Sequence, residues 1–300
     1  MQLIHTSRDS LVRKLQIVSN IVERRHTLPV LANVLLKKTG HTLTLLSTDI
    51  EMQVSTHAEF GVGEESISTT VAARKLLDIL RSLPDAADVG LNLDQKKLIV
   101  IAGKSRFTLQ TLPADEFPVV QAPSDWLANV TVTQKTLKYL LSMVHYGMAQ
   151  QDLRYYLNGV LLIIDESVIR AVATDGHRLA YVQANTPTSG SKHEVIMPRK
   201  TVLELMRLLN DTDEPVSIDL AANQARFRFA EVDLITKLVE GKFPDYQRVI
   251  PKNHDKTFLI ERETLLKSLQ RASILTTDKF RGVRCVVSSG SLVVASTNSD

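Results

Sequence analysis

The sequence predicts an α+β fold in which one unit, two helices packed on antiparallel β-sheets, recurs in tandem along 300 residues. Three observations predict it. Landmarks recur in one order at a spacing near 126 residues. Apolar residues fall at helical spacing in two segments of each complete unit. The short runs between those segments alternate in polarity, as antiparallel strands with one wet face do.

The first element of each unit is an amphipathic helix, opening as RDSLVRKL at Arg8, QKTLKYLL at Gln134 and RETLLKSL at Arg262. Leu11, Leu137 and Leu265 align, and Leu15, Leu141 and Leu269 keep the same register. In unit one Leu11, Leu15, Val18 and Val22 form the apolar stripe, and Ser10, Arg13 and Lys14 fall off it. An apolar strand follows, ANVLL around Val34, NGVLL around Val160 and RGVRCVV around Val283. Cys285, the one cysteine, lies in that third run and is expected as a small buried side chain. A further strand ends in Thr48-Asp49, Thr174-Asp175 or Thr297-Asn298. The second helix is expected over 74–83, with Leu76, Ile79, Leu80 and Leu83 inward and Pro84-Asp85 ending it. It recurs over 199–209 behind Pro198, which needs no N–H there. The runs TLTLLST, KKLIVIA, SRFTLQTL, ARFRFA and DLITKLV supply the remaining strands.

Turn-forming residues cluster at Pro123-Ser124-Asp125 and Pro251-Lys252-Asn253. They divide the chain into domains 1–125, 126–253 and 254–300. The third unit shows its first helix and two strands, so it is expected to be incomplete and the intact chain to be longer. One cysteine excludes a disulfide framework. The apolar runs fall far short of the ~18 residues of a membrane span, and no basic-then-apolar leader opens the chain. A cytoplasmic protein with no membrane contact is the expectation.

The net charge of +3 conceals a division. The helical segments 8–22, 74–83, 133–147, 199–209 and 261–274 together carry +9, and all the rest −6. If equivalent helices share a face, that face is cationic, and phosphate backbones bind such faces without sequence preference.

The segments RYYLNG (154–159), ATDGHRLA (173–180), MPRK (197–200) and KFPDYQRVIPK (242–252), with the repeat and its cationic helices, resemble the bacterial DNA polymerase III beta subunit, the sliding clamp. The resemblance runs from the N-terminus to Asp300. It implies the DNA clamp fold, a non-catalytic subunit, and a head-to-tail homodimer whose helices line a hole around double-stranded DNA. It implies no cofactor and no metal. The partners it implies are the polymerase III catalytic subunit, the clamp loader, other polymerases and repair proteins.

By the same resemblance Arg25, Arg74, Gln151, Tyr155 and Tyr156 contact DNA, with Lys14, Arg199 and Lys200 as further lining charges. Arg24 adjoins Arg25, and which of the two contacts DNA stays open. Read as a strand, Tyr155-Tyr156 would send one ring into the core. Arg154, Leu157, Thr174, Gly176, His177, Arg178, Leu179, Pro244 and Val249 are implied in a shallow pocket for short linear motifs, whose far wall comes from later in the chain. Phe107 and Leu109 are implied to meet Ile274 and Leu275 across the dimer interface.

Two other readings compete. Asp175 and His177 suggest an enzyme, but no nucleophile motif, phosphate loop or metal-ligand spacing accompanies them. Asp49 repeats Asp175 without the histidine, which favours a turn former. A protein-only adaptor would have no use for cationic helices.

Overall fold

Ser7, Thr133 and Glu261 hold equivalent places in the repeat, and each caps a helix in the computed structural model. Ser7 Oγ accepts from the Ser10 amide at 3.3 Å and Thr133 Oγ1 from the Thr136 amide at 3.1 Å. The Glu261 carboxylate accepts from the amides of Glu263 and Thr264. An oxygen acceptor before the first turn satisfies N–H groups that the helix cannot. The structure describes residues 1–22, 28–186, 192–253, 255–276 and 282–296. Arg24, Arg25, Thr297 and Asn298 lie outside them.

The capped helices open three rounds of one element order. The first round is β1 (Gln2–Ser7), α1 (Arg8–Ser19), β2 (Asn33–Thr39), β3 (Thr42–Thr48), β4 (Met52–Ala58), β5 (Ile67–Ala72), α2 (Ala73–Ser82), β6 (Asp88–Asp94), β7 (Lys97–Ala102) and β8 (Ser105–Leu112). The second is β9 (Ala128–Thr133), α3 (Gln134–Val144), β10 (Gly159–Asp165), β11 (Val168–Thr174), β12 (Leu179–Asn185), β13 (His193–Pro198), α4 (Arg199–Leu208), β14 (Pro215–Leu220), β15 (Gln224–Phe229) and β16 (Val232–Lys237). The third has α5 (Arg262–Ser273), β17 (Arg284–Ser288) and β18 (Ser291–Ala295).

The chain forms two compact units, Met1–Pro244 and Asp245–Asp300. In the first, α1 packs on β3 and β4, and α3 packs on β11 and β12 in the same way. Leu11, Leu15 and Val18, like Leu137, Leu141 and Val144, are fully buried. In α2 the inward set is Leu76, Leu77 and Leu80; Ile79, expected inside, is only half-buried. All strand pairs are antiparallel. The largest sheet has 12 strands in the order β1-β6-β7-β8-β5-β2-β3-β4-β16-β15-β14-β9, and β12-β11-β10-β13 form another.

The 12-stranded sheet is continuous because β4 of the first round pairs with β16 of the second, Met52–Thr56 against Thr236–Val232. Side chains reinforce this joint. Lys237 Nζ lies 3.1 Å from Glu51 Oε1, Lys14 pairs with Glu231, and Lys200 pairs with Asp49. On the helix side Glu204 of α4, 3% exposed, accepts from Asn20 Nδ2 at 2.6 Å and from the Arg207 guanidinium. Arg207 Nη2 donates in turn to the Ile17 carbonyl at 2.7 Å.

In the second unit α5 has no buried residue, and among the described residues β17 pairs only with β18. Cys285 is exposed, against expectation, because among the described residues of this unit the one helix and the two-stranded sheet leave β17 without a covering layer.

Candidate nucleic-acid interface and peptide pocket

Helices α1, α2 and α4 frame a cleft of about 820 Å³. Arg74, Lys75, Arg81 and Arg207 line it with Gln16 and Asn20, and Asp78 is the one carboxylate among its lining residues. Arg74 Nη2 donates to the Val22 carbonyl at 3.1 Å, which steadies the side chain, and among the described residues no carboxylate pairs with it. This is a concave surface with a cationic excess, the electrostatic form that holds phosphates.

The other expected lining charges fare unequally. Lys14 is only 13% exposed at its side chain and is bound to Glu231; burial, with Arg13 adding repulsion, pushes its amine down. Lys200 is held by Asp49, whose side chain is 7% exposed. Arg199 is half-buried, and Lys138 donates to the Leu209 carbonyl at 2.9 Å. The +9 of the helices is thus not +9 on one face, because several amines turn towards neighbouring strands or helix ends. On the exposed face of α3 stand Tyr139 and Met143, with Tyr146 one turn beyond.

Tyr155 and Tyr156 are not in a strand. They begin a single 3-10 turn, Tyr155–Leu157, with the rings edge to face at 5.9 Å. Consequently neither is buried: Tyr155 is 57% exposed and Tyr156 half-buried. The loop before them is locked by its own side chains. Asp152 accepts from the Arg154 amide at 2.8 Å and from its guanidinium at 2.8 and 3.0 Å. Asn158 Oδ1 accepts from the Asp152 amide, and its Nδ2 donates back to the Asp152 carbonyl. The Arg154 contacts hold the Asp152 carboxyl down to about 2. Gln151 takes a positive φ of 56° and is exposed, as is Leu153 at 98%. Sequence reasoning passed over Leu153; a lone leucine among polar residues carries no periodic signal.

The turn between β11 and β12 shows what the Thr-Asp pair does. Thr174 Oγ1 donates to the Arg178 carbonyl at 2.7 Å and accepts from the Gly176 amide at 3.1 Å. Asp175 Oδ1 accepts from the amides of His177 and Arg178, and Oδ2 from Arg178 Nε. Burial pushes the Asp175 carboxyl up, but those donors outweigh it and hold the group below its ordinary range. Thr48 and Asp49 repeat the pattern towards Ile50, Glu51 and Met52. The Asp175 carboxylate is taken up by backbone amides and an arginine, so it does not orient the His177 ring as a catalytic dyad would. Among the described residues no cluster of His, Cys, Asp and Glu could hold a metal ion.

Gly176 has φ +89°, and a Cβ there would lie 3.2 Å from two nitrogens of the Arg154 guanidinium. Arg154 also reaches the Asp175 carbonyl at 3.4 Å, so the Arg154 loop and the β11–β12 turn meet. Around that meeting His177 and Arg178 are exposed, Leu179 is half-buried and Leu157 is 1% exposed. Pro244, exposed, ends the first unit; Val249, 65% exposed, belongs to the second.

Phe107 and Leu109 lie half-buried on one face of β8 and pack against the core. Strand β8 pairs with β7 along its length but with β5 only at Thr111 and Leu112, which leaves the rest of its other edge open among the described residues. Ile274 and Leu275, at the end of α5, are 77% and 55% exposed.

Comparison with known proteins gives one answer along the chain. Models of the DNA polymerase III beta subunit match in order: its N-terminal domain over 1–121, its central domain over 131–245 and its C-terminal domain over 247–300. The beta sliding clamp of Pseudomonas putida is 44% identical over 293 residues, covering 97% of this chain and 79% of the relative. A crystal structure of the Pseudomonas aeruginosa DNA polymerase III subunit beta superposes with a TM-score of 0.94 at 42% identity, covering 100% of this chain and 81% of that one. Another crystal structure of the P. aeruginosa clamp, bound to griselimycin, matches with the same score and identity over 99% of this chain and 81% of that one.

Proposed function

The chain belongs to the DNA polymerase III beta subunit family, the bacterial sliding clamps, and from that premise we propose how its parts divide the work. It is a non-catalytic processivity factor. It encircles duplex DNA as a head-to-tail homodimer and tethers the replicative polymerase, the clamp loader and other replication and repair proteins. Its site of action is the cytoplasm. Its three clamp domains are 1–125, 126–253 and 254–300.

The observation that carries this reading is the β4–β16 joint. In the first domain β8 stands where β16 stands in the second, and it keeps an open edge. A head-to-tail joint that recurs must either close into a ring or grow into a filament. The open β8 edge, with Phe107 and Leu109 beside it, is the face we assign to the partner subunit. Ile274 and Leu275 are the repeat counterparts of Asn20 and Ile21, and Ile79 is the counterpart of Glu204. Where the internal joint sets Asn20 against Glu204, the joint between subunits would set Ile274 against Ile79.

DNA passes the helix side. Arg74, with Arg25, Gln151, Tyr155 and Tyr156, contacts it, and Arg199 adds charge. Lys14 and Lys200 contribute less, since carboxylates already hold their amines. Contacts of this kind hold the duplex without fixing its register, so it slides. Linear motifs dock where Arg154, Gly176, His177, Arg178 and Leu179 converge, with Leu157 and Thr174 beside them. An apolar recess with few polar groups suits one or two anchoring side chains.

Retention on circular against linear duplex DNA, titrated with salt, tests the whole. A ring stays on circles and slides off ends. Equal retention on both would overturn it.

A further inference from the structure

We propose that the two rounds of helices in Met1–Pro244 meet the duplex by different means. The first round grips phosphates through Arg13, Lys75 and Arg81 beside Arg74. The second bears on the duplex through apolar side chains, Tyr139 and Leu203 foremost, and adds little charge. The inference rests on the reading above that DNA passes the helix side.

The repeat allows a comparison place by place. Leu11 aligns with Leu137, an offset of 126, and Arg74 with Arg199, an offset of 125. By those offsets Tyr139 stands where Arg13 stands, Leu203 where Asp78 stands, Met206 where Arg81 stands and Lys200 where Lys75 stands. Lys267 holds the place of Arg13 in the third round, so the tyrosine is the departure. In the first round Arg13, Arg74, Lys75 and Arg81 are all exposed, and the last three line the cleft. Arg13 Nη2 reaches only the neutral Ser10 Oγ, at 3.5 Å, and among the described residues no carboxylate pairs with any of the four.

The second round spends its cations elsewhere. Lys200 is held by Asp49, Lys138 donates to the Leu209 carbonyl, and Arg207 is bound to Glu204. Arg199 is half-buried. Lys135 is exposed, but its backbone N–H donates to the Thr212 carbonyl, which sets it beside the exposed carboxylates of Asp211, Asp213 and Glu214. What the face offers instead is Tyr139, 49% exposed, with Met143 and Leu203 nearly as open.

This apolar face continues the cationic cleft. Leu203 lies one turn before Arg207 on α4, and Arg207 lines the cleft with Arg74. Helix α3 packs on α4. A duplex seated with its phosphates in the cleft reaches this face next, where its sugars offer apolar contact. Charged contacts release counterions and weaken with salt, whereas apolar contacts release none. The two rounds are therefore separable by salt.

The test is fluorescence anisotropy of a short labelled duplex, titrated with the full chain at several salt concentrations. Arg13→Ala, Lys75→Ala and Arg81→Ala should each lower the salt slope by roughly 0.9, the value for one counterion, and Tyr139→Arg, which copies Arg13, should raise it by as much. Lys138→Met should leave it unchanged. Tyr139→Ser combined with Leu203→Ser should weaken binding about three- to tenfold at every salt concentration, with the slope unaltered. Circular dichroism checks that each variant folds. A slope lowered by Arg74→Ala but by none of Arg13→Ala, Lys75→Ala and Arg81→Ala would overturn this proposal and leave the clamp reading standing. So would a slope lowered as much by Lys138→Met as by Arg81→Ala. Unaltered affinity in the Tyr139→Ser, Leu203→Ser variant would give that face to a protein partner and overturn the proposal too. Salt-independent binding by the unsubstituted chain would overturn the DNA reading itself, and this proposal with it.

Discussion

Removing Arg207 should destabilise the first unit more than removing Glu204, although each change breaks the same ion pair. Glu204 is 3% exposed, and its carboxylate accepts from Asn20 Nδ2 and the Arg207 guanidinium. In Arg207→Ala that carboxylate stays buried with Asn20 as its remaining donor. Breaking a buried pair from one side typically costs about 3–5 kcal/mol, because a buried charge loses its compensation. In Glu204→Ala the buried charge disappears with the bond. The stranded partners can turn to water, since Asn20 is exposed and the Arg207 side chain is 35% exposed. The loss is then that of charge-assisted hydrogen bonds, about 1.5–3 kcal/mol. Urea unfolding of the full chain, followed by circular dichroism, compares the midpoints at constant slope. Glu204→Gln in the Arg207→Ala background should recover part of the loss, because it neutralises the stranded group. Equal costs for the two single changes, or a larger cost for Glu204→Ala, would refute the reasoning.

Gly176→Ala should distort the β11–β12 turn, since it combines a left-handed φ with a Cβ 3.2 Å from the Arg154 guanidinium; a cost of about 1 kcal/mol or more is expected, read by thermal unfolding. The Asp152–Arg154 lock should persist from neutral pH downwards and be lost as pH falls towards about 2, because the Asp152 carboxyl is depressed in the fold. An Asp152 side-chain NMR titration with its midpoint at the ordinary 3.8 would contradict that contact. Arg74→Ala should lower the salt slope of DNA binding by roughly 0.9, the value for one released counterion, while Lys14→Ala should leave the slope unchanged. Arg25→Ala combined with Gln151→Ala should weaken loading on DNA with folding unaltered, as circular dichroism would show.

Much of the fold is legible because it is local or repeated. Leu11, Leu15 and Val18 announce a helix by spacing, and Leu137, Leu141 and Val144 announce it again. Agreement between repeats removes the ambiguity that a single short apolar run carries. Asp49 and Asp175 were readable as turn formers for the same reason, and both accept the amides two and three residues on. What misled was local pattern read without its tertiary surroundings. Tyr155-Tyr156 looked like strand residues, yet the side-chain bonds of Asp152, Arg154 and Asn158 shape a loop ending in a 3-10 turn. Cys285 looked like core, but burial depends on a covering layer, which no strand pattern encodes.

By itself the sequence determined the repeat, the order of helices and strands, the Thr-Asp turns and the cationic bias of the helical segments. These follow from spacing, capping and side-chain chemistry within a few residues. Only the tertiary structure decided which charges remain available. Lys14 and Lys200 meet Glu231 and Asp49 because β4 pairs with β16, and that pairing joins residues nearly 180 positions apart. The same joint buries Glu204 against Asn20 and sets Gln224 beside Gln121. Long-range pairing of sheet edges is a property of two surfaces at once, so no stretch of the chain carries it alone.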